Sequence, residues 1–259
     1  MRKAKLNARL IALIGLASSV VAPSARALAA SCSLAADARP ASVVILPGQP
    51  VDVTLRVRNP SSTPISLFQP SEGTGNVHAS VADVSDQSHY LEYKGPGWGL
   101  TCARGMKPVQ LDRSAVLTLP LRVLNQAAVN RDPDTWIVTP FAFSTPGNFV
   151  LRVDYRDEAS CPKPGVSAVV SVRVLAPQGD DLAVWNELKD CAACALLLHE
   201  GRANTARAVE RAALDKLRDL AKRYPNSGYA PLLRQAIDAI DCKAKGTCEN
   251  DQGQDNNNQ

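Results

Sequence analysis

Apolar and polar residues alternate strictly from Val51 to Arg58: Val51, Val53, Leu55 and Val57 fall on one face, Asp52, Thr54, Arg56 and Arg58 on the other. A period of two over eight residues predicts a half-buried β-strand, and Asn59-Pro60-Ser61-Ser62 ends it. Further strand signals are Ser42–Leu46, closed by Pro47-Gly48, and Ile65–Phe68, closed by Gln69-Pro70. Val77–Val84 and His89–Tyr93 are predicted to pair. Val116–Val123 alternates again, with Pro120 marking an edge or a bulge. Phe149–Tyr155 and Val166–Leu175 complete the set. Short strands separated by Pro, Gly and Asn turns predict an antiparallel β-sandwich rather than an α/β fold.

After residue 178 the period lengthens. Gly179-Asp180-Asp181 predicts a helix start with Asp180 as N-cap. Trp185, Leu188, Ala192, Ala195, Leu196 and His199 then share one face, and Gly201 ends the helix. A second helix carries Val209, Ala213, Leu217, Leu220 and Tyr224. Pro225-Asn226-Ser227 breaks it, and Ser227 is placed to cap a third helix with Leu233, Ala236, Ile237 and Ile240. Three short amphipathic helices must pack on one another or cover an end of the sandwich. The expected organisation is a sandwich over 31–177, a three-helix segment over 178–248 and a disordered Asn/Asp/Gln-rich tail over 249–259.

The N-terminus changes what the charge means. Arg2, Lys3, Lys5 and Arg9 precede an apolar stretch of 13 residues, Leu10–Ala22, followed by Pro23 and small residues to Ala30. That is the layout of a signal peptide over 1–30, cut after Ala27 or Ala30. The apolar core is short of the roughly 20 residues a spanning helix needs. Cys32 leaves lipidation as an alternative, although Leu28 stands four residues before it rather than three. Residues 1–30 hold five of the 29 Lys+Arg and no acid, so 24 basic residues remain against 25 acidic ones, a net of −1. The excess of base belongs to the leader, and charge gives no argument for nucleic acid as a partner. The mature chain is expected to be periplasmic or secreted, with no membrane span.

Export makes the seven cysteines candidates for cross-links. If the three helices alternate in direction, helices one and three run parallel. Cys191 then lies about 15 Å along helix one and Cys242 about 18–20 Å along helix three, at 1.5 Å per residue. This levelling predicts two disulfides joining Cys191 and Cys194 to Cys242 and Cys248, with the pairing open. Cys102 and Cys161 are the remaining candidate pair. Cys32 is left over, to pair with either of them, to be lipidated or to bridge two chains. A redox role for Cys191-x-x-Cys194 would require the motif at a helix N-terminus, whereas the periodicity places it in mid-helix behind Asp190.

Two stretches resemble known patterns. Leu46-Pro47-Gly48-Gln49-Pro50-Val51 and Ser144-Thr145-Pro146-Gly147-Asn148-Phe149 each lead into a strand, as in the immunoglobulin-like domains of bacterial secreted proteins. The resemblance spans most of 40–176 and implies an immunoglobulin-like sandwich, without the intersheet Cys…Trp…Cys pattern of antibody domains. Tyr224-Pro225-Asn226-Ser227-Gly228-Tyr229-Ala230 is similar to the boundary between tetratricopeptide repeats, in a single copy.

Catalytic patterns are weak. His78, His89 and His199 form no zincin motif, and there is no Gly-x-Ser-x-Gly elbow, Walker loop or dinucleotide fingerprint. His89 near Asp83, Asp86 and Ser88 leaves a triad formally open. Asp83/Asp86 and Asp154/Asp157/Glu158 are weak calcium candidates against a default of solvated loops. No cofactor or metal is implied. Tyr90, Tyr93 and the Gly-flanked Trp98 form a possible aromatic platform for glycan or protein, against the reading that Trp98 folds over the sandwich end. The expectation is a non-enzymatic exported binding or structural protein. The alternatives are an exported enzyme with an unrecognised site, a protease inhibitor or a redox partner.

Overall fold

A computed structural model describes residues 34–71, 75–93, 95, 107–124, 141–156 and 165–246. Among these, ten strands precede four helices. β3 (Val51–Arg58) turns Val51, Val53, Leu55 and Val57 inward, as its alternation requires. It pairs antiparallel with β1 (Ala35–Arg39) on one side and β8 (Val116–Val123) on the other. β8 is therefore an outer strand, which accommodates Pro120, opposite Thr54, without a lost central bond.

The second sheet runs in the order β2 (Ser42–Ile45), β10 (Val166–Val174), β9 (Gly147–Tyr155), β5 (Val77–Asp83), β6 (Leu91–Tyr93). Its pairings are antiparallel except β2 with β10, which is parallel. The chain passes from the first sheet to the second between β1 and β2, through a cis Arg39–Pro40 bond. The expected pairing of Val77–Val84 with His89–Tyr93 is the β5–β6 hairpin. β4 (Ile65–Leu67) and β7 (Val109–Leu111) form a separate ladder. β1 and β7 carried no sequence signal: Ala-Ala-Asp-Ala-Arg lacks β-branched residues, and three residues are too few to show a period.

Both large sheets contribute to one apolar core, with Leu55 and Val57 from one and Leu151, Val153, Val170 and Val172 from the other. The buried polar residue Asn59 closes the turn after β3. Its Nδ2 donates to the carbonyls of Thr63 and Leu111, both at 2.8 Å, and its Oδ1 accepts from the Ser61 amide at 2.9 Å. Every polar group of this side chain is thereby satisfied where no water reaches it.

The C-terminal part holds four helices, not three: α1 (Asp180–Leu188), α2 (Ala192–Glu200), α3 (Ala208–Arg223) and α4 (Ala230–Lys245). The expected first helix is split at Lys189–Cys191, because Cys191 has φ −97° and ψ 86°. Two capping expectations are also corrected. Gly179, not Asp180, occupies the N-cap of α1. Asp181, in the first turn of α1, instead accepts from the Gly228 amide at 2.6 Å. Ser227 does not cap α4: its hydroxyl is buried with no partner, and Tyr229 holds the N-cap position. Gly201 terminates α2 in the left-handed conformation, as its position implies.

The helices pack on one another and on the strand-end loops. Leu124 and Phe141 join Trp185, Leu188, Leu217 and Tyr229 in a second apolar core. Phe141 and Trp185 meet edge to face at 5.3 Å. Gly48, at φ +72°, brings the backbone against this pair; a Cβ there would lie 2.4 Å from the Trp185 ring. The Tyr224–Ala230 turn docks beside it. Tyr229 donates its hydroxyl to the Pro47 carbonyl at 2.7 Å, and Gln49 Nε2 donates to the Gly228 carbonyl at 2.8 Å. Among the described residues no helix is long and apolar enough to cross a membrane.

Candidate functional site

The cysteine prediction fails in its connectivity. Cys191 and Cys194 are bonded to each other, and Cys242 is also disulfide-bonded, so neither of the first two can be its partner. The staple between α2 and α4 foreseen from helix lengths does not involve the motif, because the break at Cys191 turns the helix into two and removes the geometry on which the levelling rested. A bond at a sequence separation of 3 also restrains the unfolded chain far less. Chain entropy gives about 2 kcal/mol for a loop this short, against about 4 kcal/mol for one of roughly 50 residues.

The break places Cys191 at the N-cap of α2 and Cys194 in its first turn. Cys191 Sγ accepts from the Cys194 amide at 3.2 Å. Cys191 is half-buried, whereas Cys194 is 0% exposed and forms part of the helical core. No acidic residue lies in the first turn of α2 to offset its partial positive charge. The sequence held one usable sign of this break. The Ala192–Glu200 segment is apolar nearly all round, whereas α1 keeps exposed polar positions, so the amphipathic register does not continue through 190.

The aromatic platform separates into unlike residues. Tyr93 is 1% exposed, and its hydroxyl accepts from the Leu124 amide at 3.3 Å, so it is a core residue rather than a ligand contact. Tyr90 is half-buried with the Arg152 guanidinium 6.0 Å from its ring centre. Trp98 lies outside the described residues, as do Cys32, Cys102, Cys161 and Cys248.

Tyr90 borders the outward face of the five-stranded sheet. Val169, Arg152, Ser80 and Glu92 stand in register across β10, β9, β5 and β6 on the face opposite the core. Val169 is 54% exposed. Arg152 Nε donates to Asp154 at 2.8 Å, and Arg156 and Ser167 also reach that carboxylate. Asp154 is thus already held by two arginines and a hydroxyl, which leaves it a poor calcium ligand. Neither the sheet face nor its arginine was visible in the sequence, because alternation reports which residues point outward but not which strands lie side by side.

Among the described residues the histidines do not come together with one another. His89 Nδ1 contacts both Ser88 Oγ and Asp86 Oδ2, each at 2.9 Å. A triad base must bridge its partners with two different ring nitrogens, so this is a local turn cluster. Hydrogen bonds from the Ser85 hydroxyl and amide hold the Asp83 carboxyl below its ordinary range. For Asp86 the Ser88 hydroxyl does the same, followed by His89. His78 Nδ1 lies 3.9 Å from Glu92. His199 lines a cavity of about 190 Å³ with Arg122, Glu200, Leu232 and Lys243. Burial, and after it the Arg122 charge, lowers its pKa. Arg122 is itself engaged by Asp52 through two bonds of 2.8 and 3.0 Å. Among the described residues no three His, Cys, Asp or Glu side chains converge as a metal set. No protein-family model and no curated protein matches the chain.

Proposed function

We propose that this chain is an exported, non-enzymatic binding or structural protein of a bacterial envelope or secretome, built on an immunoglobulin-like sandwich with a helical buttress. A three-stranded sheet facing a five-stranded one across a single core supports the architectural part of this reading. The outward face of the five-stranded sheet carries the functional part. Exposed Val169, Arg152 stacked towards Tyr90, and Glu92 offer an apolar contact and both signs of charge on a rigid platform. Such mixtures suit a protein or glycan surface better than a small buried ligand. The fold alone implies no activity.

The test has two arms. N-terminal sequencing of the chain from fractionated cells should find it outside the cytosol and beginning after Ala27 or Ala30; a cytosolic chain retaining Met1 refutes export. Capture from the envelope fraction should then be compared between the wild type and Arg152→Glu/Val169→Asp. A partner lost in the variant, with circular dichroism unchanged, supports the face. A partner held equally by both assigns binding elsewhere.

A further inference from the structure

We propose that Cys191–Cys194 is an exchange disulfide, which oxidises a pair of thiols on another protein; this goes beyond the binding role and does not depend on the sheet face. The sequence periodicity places the motif in mid-helix, where a redox role is disfavoured. The structure removes that premise: Cys191 is the N-cap residue of α2. The two sulfurs are also unequally placed. Cys191 is half-buried at the edge of the helical core, and Cys194 is sealed within it beside α3 and α4. Cys191 alone of the two retains exposed surface, which directs an attacking thiolate to it rather than to Cys194.

The chemistry closes with a dithiol as the only co-reactant. One substrate thiolate attacks Cys191 Sγ, the Cys191–Cys194 bond breaks, and the electron pair leaves on Cys194 Sγ, which takes a proton. The second substrate thiolate then attacks the substrate's own sulfur in the mixed disulfide and expels Cys191 as thiolate, which takes up the second proton. Two electrons and two protons pass from the dithiol to the cysteine pair, and the substrate becomes the disulfide. Cys191 is a competent final leaving group because the Cys194 amide already points at its sulfur, and the unpaired amides of the first turn of α2 add partial positive charge. Lys189 and Asp190 precede it with opposite charges.

The experiment uses the full mature chain and a reduced two-cysteine peptide as probe. After acid quenching and alkylation, peptide mapping should show Cys191 and Cys194 reduced, Cys242 still bonded and the probe oxidised, with the helical signal intact. Once reduced, Cys191 should alkylate at least about tenfold faster in the folded chain than in urea at pH 6. A Cys194→Ala variant should accumulate a mixed disulfide through Cys191 with an oxidised form of the probe. If that variant does not fold, the wild-type measurements stand alone. The proposal is overturned if the bond resists the probe until denaturant is added. It is equally overturned if reduction unfolds the helices or Cys191 reacts no faster folded than unfolded; each outcome marks a structural staple.

Discussion

Removing one oxygen atom from Tyr229 tests how the helices are tied to the sandwich. Tyr229 is 0% exposed, and its hydroxyl donates to the carbonyl of Pro47, which is buried in the loop between β2 and β3. Burial raises the phenol pKa, so the group stays protonated and donating throughout the working pH range. Tyr229→Phe keeps the ring and its packing but leaves the Pro47 oxygen without its donor. A buried acceptor stripped of its partner costs about 1–3 kcal/mol. For a folded unit of this size each kcal/mol moves Tm by about 2–4 °C, so the expected fall is about 2–12 °C. The assay is calorimetry alongside circular dichroism at 222 nm and tryptophan fluorescence, since Trp185 sits in the same junction. The probes should fall together, because the second core is built from both parts of the chain. An unchanged Tm would refute the bond's contribution. A helical transition well separated from the strand transition in the wild type would refute the shared junction.

Three further outcomes follow from the same packing. Gly48→Ala should destabilise by about 2–4 kcal/mol, combining a left-handed backbone at φ +72° with a methyl 2.4 Å from Trp185, measured as a lower urea midpoint. Asn59→Ala should cost about 2–4 kcal/mol by stranding the Thr63 and Leu111 carbonyls, whereas an unchanged midpoint would mean that water replaces the side chain. His199 has a folded pKa below its ordinary 6.5, so the unfolded chain takes up the proton first as pH falls. Its contribution is complete above about pH 6.5, is lost as pH falls through the folded value and is constant below that; His199→Leu should flatten this part of the stability profile.

Tyr90, Tyr93 and Trp98 are close in the chain, and proximity alone groups them as one platform. The strand alternation of Leu91-Glu92-Tyr93 sends Tyr93 to the core face and Glu92 to the outer one. The cysteines failed for a complementary reason: one backbone rotation at Cys191 decided whether the motif lay inside a helix or at its start.

Alternation with a period of two was enough to specify β3, β8 and β10 and their inward faces, because burial of one side of a strand is a local pattern. The helix-period residues likewise marked α3 and α4, and Gly201 marked the end of α2. Only tertiary contact decided the rest. β1 exists because β3 offers it an edge. Ser227 loses its cap because the turn it sits in docks on the Pro47 loop, and Cys191 and Cys194 meet because α2 starts afresh. Local sequence sets which residues seek burial, but the partners that bury them come from elsewhere in the chain, and their arrangement is a property of the packed whole.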